Sequence, residues 1–531
     1  MKRNIIVILL IFNTVGLFAQ KKPNVKQFDK QLKYAKELIY TGDYKNAYIN
    51  LLDIYQVDSS NTEINYYLGY ASFYANRDKN IALPYLLIGA DFNANAYYFI
   101  GSIYHQKKQF EQALANYNKY KNLAPNEMIF DTHKLNREID KIKNAKELIK
   151  NKSNYKIENL GKDVNSAYPD YAPVLFANGN KLYFTSRRKG SFPDIKDPNN
   201  EYFEDIYLSN KVNNIWQKPN NIGAPLNTKT HDASVAISNH DSIFYIYRTN
   251  PNLVGGDILK SVKIEEQWSE PITFESSINN KNSSESSISI HPNGKKIFFS
   301  SNRKGGYGGK DIYCVKILPN GQWSLPSNLG AMINTAEDED GPYIASDGVT
   351  LYFSSKGHKN MGGYDLFKSQ LLTNGQWSEP KNMGYPINSV MDDIFISTVN
   401  NEDYFFSSNR SGGYGFADIY HTILPKKKNE FLVIKGRVID NKNQLSLRAN
   451  ITIINKENNQ LEGVYKSDYS SGKFVMILKP NEEYKMFVEA KGYYSQTLAI
   501  DLTKNLSLED VLKTIRLIKK ELATEVQRSN E

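Results

Sequence analysis

A carboxylate recurs at the same place in five successive segments of the chain, about eleven or twelve residues before a motif of the LYFTS or IFFSS type. A ring of such acids could bind Ca²⁺ through hard oxygen ligands, or supply the paired carboxylates of glycoside hydrolysis. The alternative is that each acid pairs with a cation of its own segment or caps a turn. The acids are Asp170, Asp232, Glu285, Glu339 and Asp392, and the cations are Arg187, Arg248, Arg303, Lys356 and Arg410.

Local motifs add no further chemistry. The seven histidines form neither H-E-x-x-H nor a close pair, and no G-x-S-x-G occurs. The single cysteine, Cys314, excludes an internal disulfide and a cysteine-based zinc site. We therefore predict no catalytic residue, no cofactor and no resident metal, with Ca²⁺ in the acidic ring as the alternative.

Two glycine-rich stretches raise the question of a phosphate-binding loop. SSNRKGGYGGKDIY at 300–313 returns as SSNRSGGYGFADIY at 407–420. A phosphate loop needs a serine or threonine after its lysine and leads into a helix, whereas these stretches lead into strand-like residues. We interpret the glycines as hairpin turns.

The whole region 155–425 is repetitive. The LYF-type motifs begin at 182, 243, 297, 351 and 404, so that the spacings are 61, 54, 54 and 53 residues. Short strands repeated at one period predict a β-propeller, in which each blade buries its faces against its neighbours. We predict five blades, with the segment at 155–165 completing the last; six is the alternative if the longer first unit contains another strand pair. The repeat-structural residues are Asp205, Asp257, Asp311, Asp365 and Asp418, which lead a strand, and Trp216, Trp268, Trp323 and Trp377, which follow it.

Different patterns flank the propeller. Residues 25–150 have helical periodicity, and 431–517 have short alternating strands separated by Asn, Gly and Pro, which predict a small antiparallel β-sandwich. The helical stretch resembles tetratricopeptide (TPR) repeats, with a generic helical bundle as the alternative. This resemblance rests on Tyr97, Gly101, Tyr104, Ala113, Tyr117 and Pro125.

The N-terminus and the charge bear on location. Lys2 and Arg3 precede an apolar stretch from Ile5 to Phe18, so residues 1–19 are predicted to be a secretory signal. No later segment approaches 18 uninterrupted apolar residues, so no transmembrane segment is expected after signal removal. The formal charge of +9 is spread along the chain, and the aromatic residues follow strand periodicity, so we expect no nucleic-acid partner.

Two further resemblances follow from these residues. The propeller motifs, with DG, LYFSS, GG and DIY in five copies, are similar to the WD40-like PD40 repeats of bacterial periplasmic proteins. The C-terminal order Gly436-Arg437-Val438 to Lys491-Gly492-Tyr493 looks like the carboxypeptidase regulatory-like fold. In this order behind a signal, the three domains resemble periplasmic OmpA-family proteins associated with type IX secretion and gliding.

That resemblance implies a non-enzymatic scaffold in the periplasm or at the periplasmic face of the outer membrane. Its partners would be envelope proteins, such as outer-membrane secretion or gliding components. Family members commonly end in a peptidoglycan-binding domain, but here a tail at 518–531 follows the sandwich, so direct peptidoglycan binding is not expected. The alternatives are a propeller enzyme that acts on glycans through the axial carboxylates and a propeller that senses a ligand.

Overall fold

A computed structural model describes residues 25–123, 125–175, 179–198, 200–238, 242–274, 277–399, 403–423, 432–479, 482–503 and 513–520. The predicted signal at 1–19 and residues 424–431 lie outside these ranges, as does the tail beyond 520. The chain divides into two compact units, Met1–Leu424 and Pro425–Glu531. Among the described helices, none is long and apolar enough to cross a membrane.

The first unit begins with helices that pack in sequence, each against the next. Side-chain caps start three of them: Asp43, Asn61 and Asp131 each accept a hydrogen bond from a backbone N–H three residues later. The helices are α1 (Val25–Tyr40), α2 (Tyr44–Tyr55), α3 (Thr62–Ala75), α4 (Leu83–Gly89), α5 (Ala96–Gln106), α6 (Phe110–Lys121) and α7 (Thr132–Lys150), with a 3₁₀ turn at Lys79–Ala82.

Glycine allows two of these helix pairs to approach closely. A Cβ atom at Gly101 of α5 would lie 2.7 Å from the ring of Tyr117 in α6, and one at Gly69 of α3 would lie 2.7 Å from Cγ of Leu86 in α4. Real side chains essentially never come so close, so any larger residue would push the helices apart.

The remainder of the first unit is a β-propeller of five antiparallel sheets, which confirms the predicted fold. The innermost strands β2, β7, β12, β16 and β20 contact one another in that order and β20 contacts β2, so the ring is closed. The strands are β1 (Glu158–Asn159); β2 to β6 of blade 1 (Asp170–Leu175, Lys181–Ser186, Asp205–Val212, Ile215–Trp216, Asn220–Asn221); β7 to β11 of blade 2 (Asp232–Ile237, Ile243–Thr249, Gly256–Ile264, Gln267–Trp268, Ile272–Thr273); β12 to β15 of blade 3 (Ser287–Ile290, Lys296–Ser301, Asp311–Lys316, Ser327–Asn328); β16 to β19 of blade 4 (Glu339–Ile344, Thr350–Ser355, Asp365–Gln370, Lys381–Asn382); and β20 to β22 of blade 5 (Asp393–Val399, Asp403–Ser408, Asp418–Ile423).

Blade 5 is completed by the first strand of the chain. Strand β1 pairs with β22, with Glu158 opposite His421, as the sequence predicts. The longer first unit does not add a blade. Its additional residues lie in the loop between β3 and β4, where a β-bridge joins Lys196 to Tyr202.

The repeated aspartates bind the glycine-rich loops. Asp311 accepts hydrogen bonds from the backbone N–H of Tyr307 at 2.6 Å and of Gly308 at 3.0 Å, and from the amide of Asn328 at 2.6 Å. A Cβ atom at Gly308 would lie 2.0 Å from the carbonyl oxygen of Glu337. The glycines therefore permit a close approach between backbones, and the loop donors are directed at Asp311.

Tryptophans fill the spaces between neighbouring blades. Trp216 of blade 1 packs on Phe405 of blade 5, and Trp377, which follows β18 of blade 4, packs on Phe298 of blade 3, with ring centroids 5.9 Å apart in both cases. Their repetition follows from this shared packing position.

The second unit consists of two sheets around one hydrophobic core. It differs from the predicted antiparallel sandwich because β29 runs parallel to β23, with Gly436 opposite Lys513. The strands are β23 (Leu432–Asp440), β24 (Asn450–Asn455), β25 (Leu461–Lys466), β26 (Lys473–Leu478), β27 (Glu483–Glu489), β28 (Gln496–Asp501) and β29 (Lys513–Leu517).

Candidate functional site

Four of the predicted acids, Asp170, Asp232, Glu285 and Glu339, lie where the innermost strands begin, and they are 0–1% exposed. Asp170 and Asp232 each accept a hydrogen bond from a backbone N–H four residues earlier, and each bonds a guanidinium group. The partners are Arg188 and Arg248, both at 2.5 Å. Burial raises the pKa of both carboxyls despite these cations. Each acid therefore ties the start of its strand to the preceding loop.

Two repeat positions differ from those predicted. In blade 5 the equivalent acid is Asp393, which bonds Arg410 and the N–H of Ser389, whereas Asp392 accepts from the N–H of Tyr364. In blade 1 the pairing cation is Arg188, because Arg187 turns to Asp197 at 2.6 Å. Asp392 and Asp393 are both aspartates, and Arg187 and Arg188 are both arginines. The spacing in the sequence therefore does not show which member of each pair is the repeated residue.

Blade 4 lacks the arginine. His358 takes its place and bonds the carbonyl of Ile333 at 2.8 Å, while Lys356 pairs with Asp338 at 2.7 Å. Glu339 is left with hydroxyl and backbone donors, among them Ser355 at 2.6 Å. Burial raises the pKa of Glu339 to about 7.

A cavity of about 420 Å³ follows the propeller axis. All five innermost strands line it, mainly with aromatic rings, small apolar groups and hydroxyls. The repeated acids do not belong to its lining, because their carboxylates point into the loops instead. Within the described residues, no group of three or more His, Cys, Asp or Glu side chains could hold a metal ion.

One position near the start of the innermost strands carries a different side chain in each blade. In blades 1, 3, 4 and 5 the residue before the repeated aspartate offers its carbonyl to the next blade: the carbonyls of Glu204, Lys310, Tyr364 and Ala417 accept from the N–H of Asp232, Glu339, Asp393 and Asp170 at 2.7–2.8 Å. The backbone role is shared, yet the side chains differ completely. In blade order they are Glu204, Gly256, Lys310, Tyr364 and Ala417.

Glu204 lines the cavity and forms a pair with Tyr171, which also lines it. The Tyr171 hydroxyl donates to the Glu204 carboxylate, and Nδ1 of His231 lies 3.6 Å from the other carboxylate oxygen. Burial, followed by the charge of Glu204, raises the pKa of Tyr171 well above its usual value. The phenol therefore stays protonated and holds the carboxylate in place.

Lys310 and Asp340 form a second polar pair behind the cavity wall. Nζ of Lys310 lies 2.7 Å from Oδ2 of Asp340 and donates to Ser286 at 2.7 Å, and Ser287 donates to Asp340 at 2.5 Å. Burial lowers the pKa of Lys310, but the charge and hydrogen bond of Asp340, together with the Asp338 charge, outweigh it, so the net shift is upward. Burial raises the pKa of Asp340, but Lys310 and the hydrogen bonds from Ser287 and Gly341 together outweigh it, so the pKa is lowered. The pair is therefore ionised.

Glu204, Lys310 and Tyr171 are not among the residues predicted from the sequence. A signal was present in the repeats: the residue before the repeated aspartate differs in chemistry from blade to blade. Architecture requires the same residue in every blade, whereas a ligand site uses different residues in different blades.

Comparisons with known proteins were made for the whole chain. No family model matches, and no curated protein matches. Solved structures similar to the chain include a GH43 endo-arabinanase from Bacillus licheniformis (11% identity, 50% of this chain, 97% of that chain, TM-score 0.33). Others are the RS223 β-xylosidase (12%, 51% and 95%, TM-score 0.35) and a gluconolactonase from Xanthomonas campestris (10%, 51% and 90%, TM-score 0.29).

The prediction of a non-enzymatic scaffold is corrected here. Several of the similar solved structures are glycoside hydrolases, among them arabinanases and xylosidases, and this finding stands against that prediction. At such low identity the likeness concerns the fold alone, and the activity has to be argued from this chain's own residues.

Proposed function

We propose that the protein is a carbohydrate-active enzyme whose substrate occupies the central channel of the propeller. The observation that carries this proposal is the placement of Glu204: a hydrogen-bonded carboxylate lining a cavity of about 420 Å³, at the position where the blades cease to repeat. The repeated acids, which first suggested glycan chemistry, instead tie the innermost strands to the preceding loops.

The lining suits a saccharide. Tyr171, Tyr247, Tyr343 and Phe395 offer ring faces to the apolar side of a sugar, and serine hydroxyls such as Ser234 can exchange hydrogen bonds with sugar hydroxyls. The volume is at the lower end of the range for small-molecule sites, which fits one or two sugar residues.

Glu204 is the proposed catalytic residue. A carboxyl group at the scissile bond can exchange a proton with the glycosidic oxygen or with the attacking water. Tyr171 is the positioning residue, because its hydroxyl fixes the Glu204 carboxylate. The ionised Lys310–Asp340 pair supplies a fixed local field to the same end of the channel.

Glu204→Gln tests this proposal, since it keeps the shape of the side chain and removes its proton exchange. We expect hydrolysis of an oligosaccharide or aryl glycoside to fall by about 10²–10⁴-fold with unfolding unchanged. The matched control is Glu266→Gln, because Glu266 is an exposed carboxylate of the same propeller, with 87% of its side chain exposed. Binding of saccharides without any turnover by the wild type would contradict the enzyme and favour a ligand-sensing propeller.

We also propose an exported protein of the cell envelope, similar to the periplasmic OmpA-family proteins in its domain order. The charged and apolar N-terminal residues support export. The close approach at Gly101 supports TPR-like hairpins in the helical region. Fractionation of cells and sequencing of the mature N-terminus would test this proposal, and an uncleaved cytosolic chain would contradict it.

A further inference from the structure

A second cavity, of about 350 Å³, lies between the helices and the propeller within the first unit. Its helical wall is the end of α3 and the turn that follows, and its propeller wall comes from blades 1 and 5. The side chains used in the argument are Arg77 and Lys79 on the first wall and Tyr171, Arg187 and Glu201 on the second.

Two arginines in this cavity already hold a carboxylate between them. Glu201 forms ion pairs with Arg77 at 3.3 Å and with Arg187 at 2.8 Å through different oxygens. The Glu201 and Arg77 side chains are 39% and 43% exposed, so this carboxylate can leave and another can enter. The two guanidinium groups therefore define a place for an anion.

Lys79 adds a positive charge with no carboxylate beside it. Its Nζ donates to the carbonyls of Phe73 at 2.6 Å and Asn76 at 2.9 Å. Burial lowers the pKa of Lys79, and in the part of the chain that the structure describes it makes no ion pair. A carboxylate ligand would supply the missing counter-charge.

The two cavities share one wall. Tyr171 lines both of them, and its hydroxyl bonds Glu204 at the end of the central channel. Tyr171 therefore adjoins both the proposed sugar position beside Glu204 and the cavity that contains the arginines.

We propose that this second cavity is a subsite for the carboxylate of an acidic sugar, so that the preferred ligand of the channel is a uronate-containing oligosaccharide. The ligand carboxylate takes the place of Glu201 between Arg77 and Arg187 and lies near Lys79. This inference rests on the proposed function, because it names the substrate class of the same site.

The test is calorimetric titration of the full chain with short oligomers of galacturonate and of glucuronate, each compared with its methyl ester. Esterification removes the charge and keeps the sugar. We expect the acids to bind at least tenfold more tightly than the esters, and this preference to fall at least fivefold in both Arg77→Gln and Lys79→Gln. Lys304→Gln is the control, because Lys304 is an exposed lysine on an equivalent loop of blade 3.

Equal affinity for acids and esters, or an unchanged preference in both variants, would overturn the acidic subsite. The proposed function would survive that result if neutral oligosaccharides are still hydrolysed through Glu204. Failure to bind any oligomer would overturn the subsite as well, and absence of turnover on neutral glycans would then overturn the proposed function separately. Circular dichroism of the variants shows whether lost binding reflects lost folding.

Discussion

The propeller has two kinds of carboxylate at the same end of its channel. Asp170 and its equivalents repeat around the ring, are fully buried and bond the loops of their own blades and, in every blade except blade 4, an arginine. Glu204 has no acidic equivalent in the other blades, and it lines the cavity. The difference teaches that, in a repeat protein, repetition of a reactive residue argues for architecture and a departure from repetition argues for function.

The largest expected effect comes from removing the partner of a repeated acid. Arg188→Gln leaves Asp170 buried without its cation, which we expect to lower the free energy of unfolding by about 3–5 kcal/mol. Denaturant unfolding measures it, with the exposed neighbour Lys189→Gln as control. A loss below about 1 kcal/mol would mean that the repeated acids do not hold the ring together.

The repeated aspartates of the glycine loops come next. Asp311→Ala removes the acceptor of two backbone N–H groups and one amide, which we expect to cost about 2–4 kcal/mol. Asp257→Ala is the matched comparison, because Asp257 has the same place in blade 2 but is only partly buried. Equal losses at both positions would contradict the role assigned to Asp311, a buried acceptor that holds its glycine-rich loop.

Glu339 sharpens the comparison through pH. Its pKa of about 7 in the folded protein exceeds its ordinary value of 4.5, so the protonated acid stabilises the fold below pH 4.5 and this stabilisation is lost as the pH rises through 7. Glu339→Gln mimics the protonated acid. We expect the variant to match the wild type near pH 4.5 and to be more stable by up to about 3 kcal/mol at pH 8.

Thermal unfolding of the wild type and of Glu339→Gln across this pH range gives their difference in stability. The partly buried His358, whose pKa is lowered, has the opposite effect on the pH dependence of stability, but it is present in both proteins and cancels in the difference. A difference that does not change with pH would show that folding does not raise the pKa of Glu339.

The smallest effect is expected at the neighbour of a repeated acid. Asp392→Asn keeps an acceptor for the N–H of Tyr364, so we expect a loss of about 1 kcal/mol or less. Asp393→Asn, one residue on, loses the ion pair with Arg410 and should cost more. Denaturant unfolding of the two variants measures these losses. A larger loss in Asp392→Asn than in Asp393→Asn would show that Asp392 is the repeated acid.

Much of the fold was predictable because each blade has the same physical requirements. Strand alternation, the loop aspartate and the inter-blade tryptophan recur with a period of about 54 residues, and β1 could be recognised as the missing end of blade 5. The parallel pairing of β29 with β23 was not predictable, since alternation gives the faces of a strand but not its direction.

The site was less predictable. Asp392 and Asp393 are adjacent carboxylates, and a β-bulge between Ile394 and Ser397 shifts the count along β20. Glu204 becomes a candidate only when the position before Asp205 is known to face the channel. The second cavity requires the helices to be placed against blades 1 and 5, which no periodicity specifies.

The most direct test of the account is a crystal structure of Glu204→Gln soaked with an oligosaccharide that the protein binds. The account predicts a sugar ring in the central channel, in hydrogen-bond contact with residue 204 and packed on Tyr171 or Tyr247, with Asp170 and Arg188 still paired beneath it. A sugar bound only outside the channel, or bound to the repeated acids, would contradict the account.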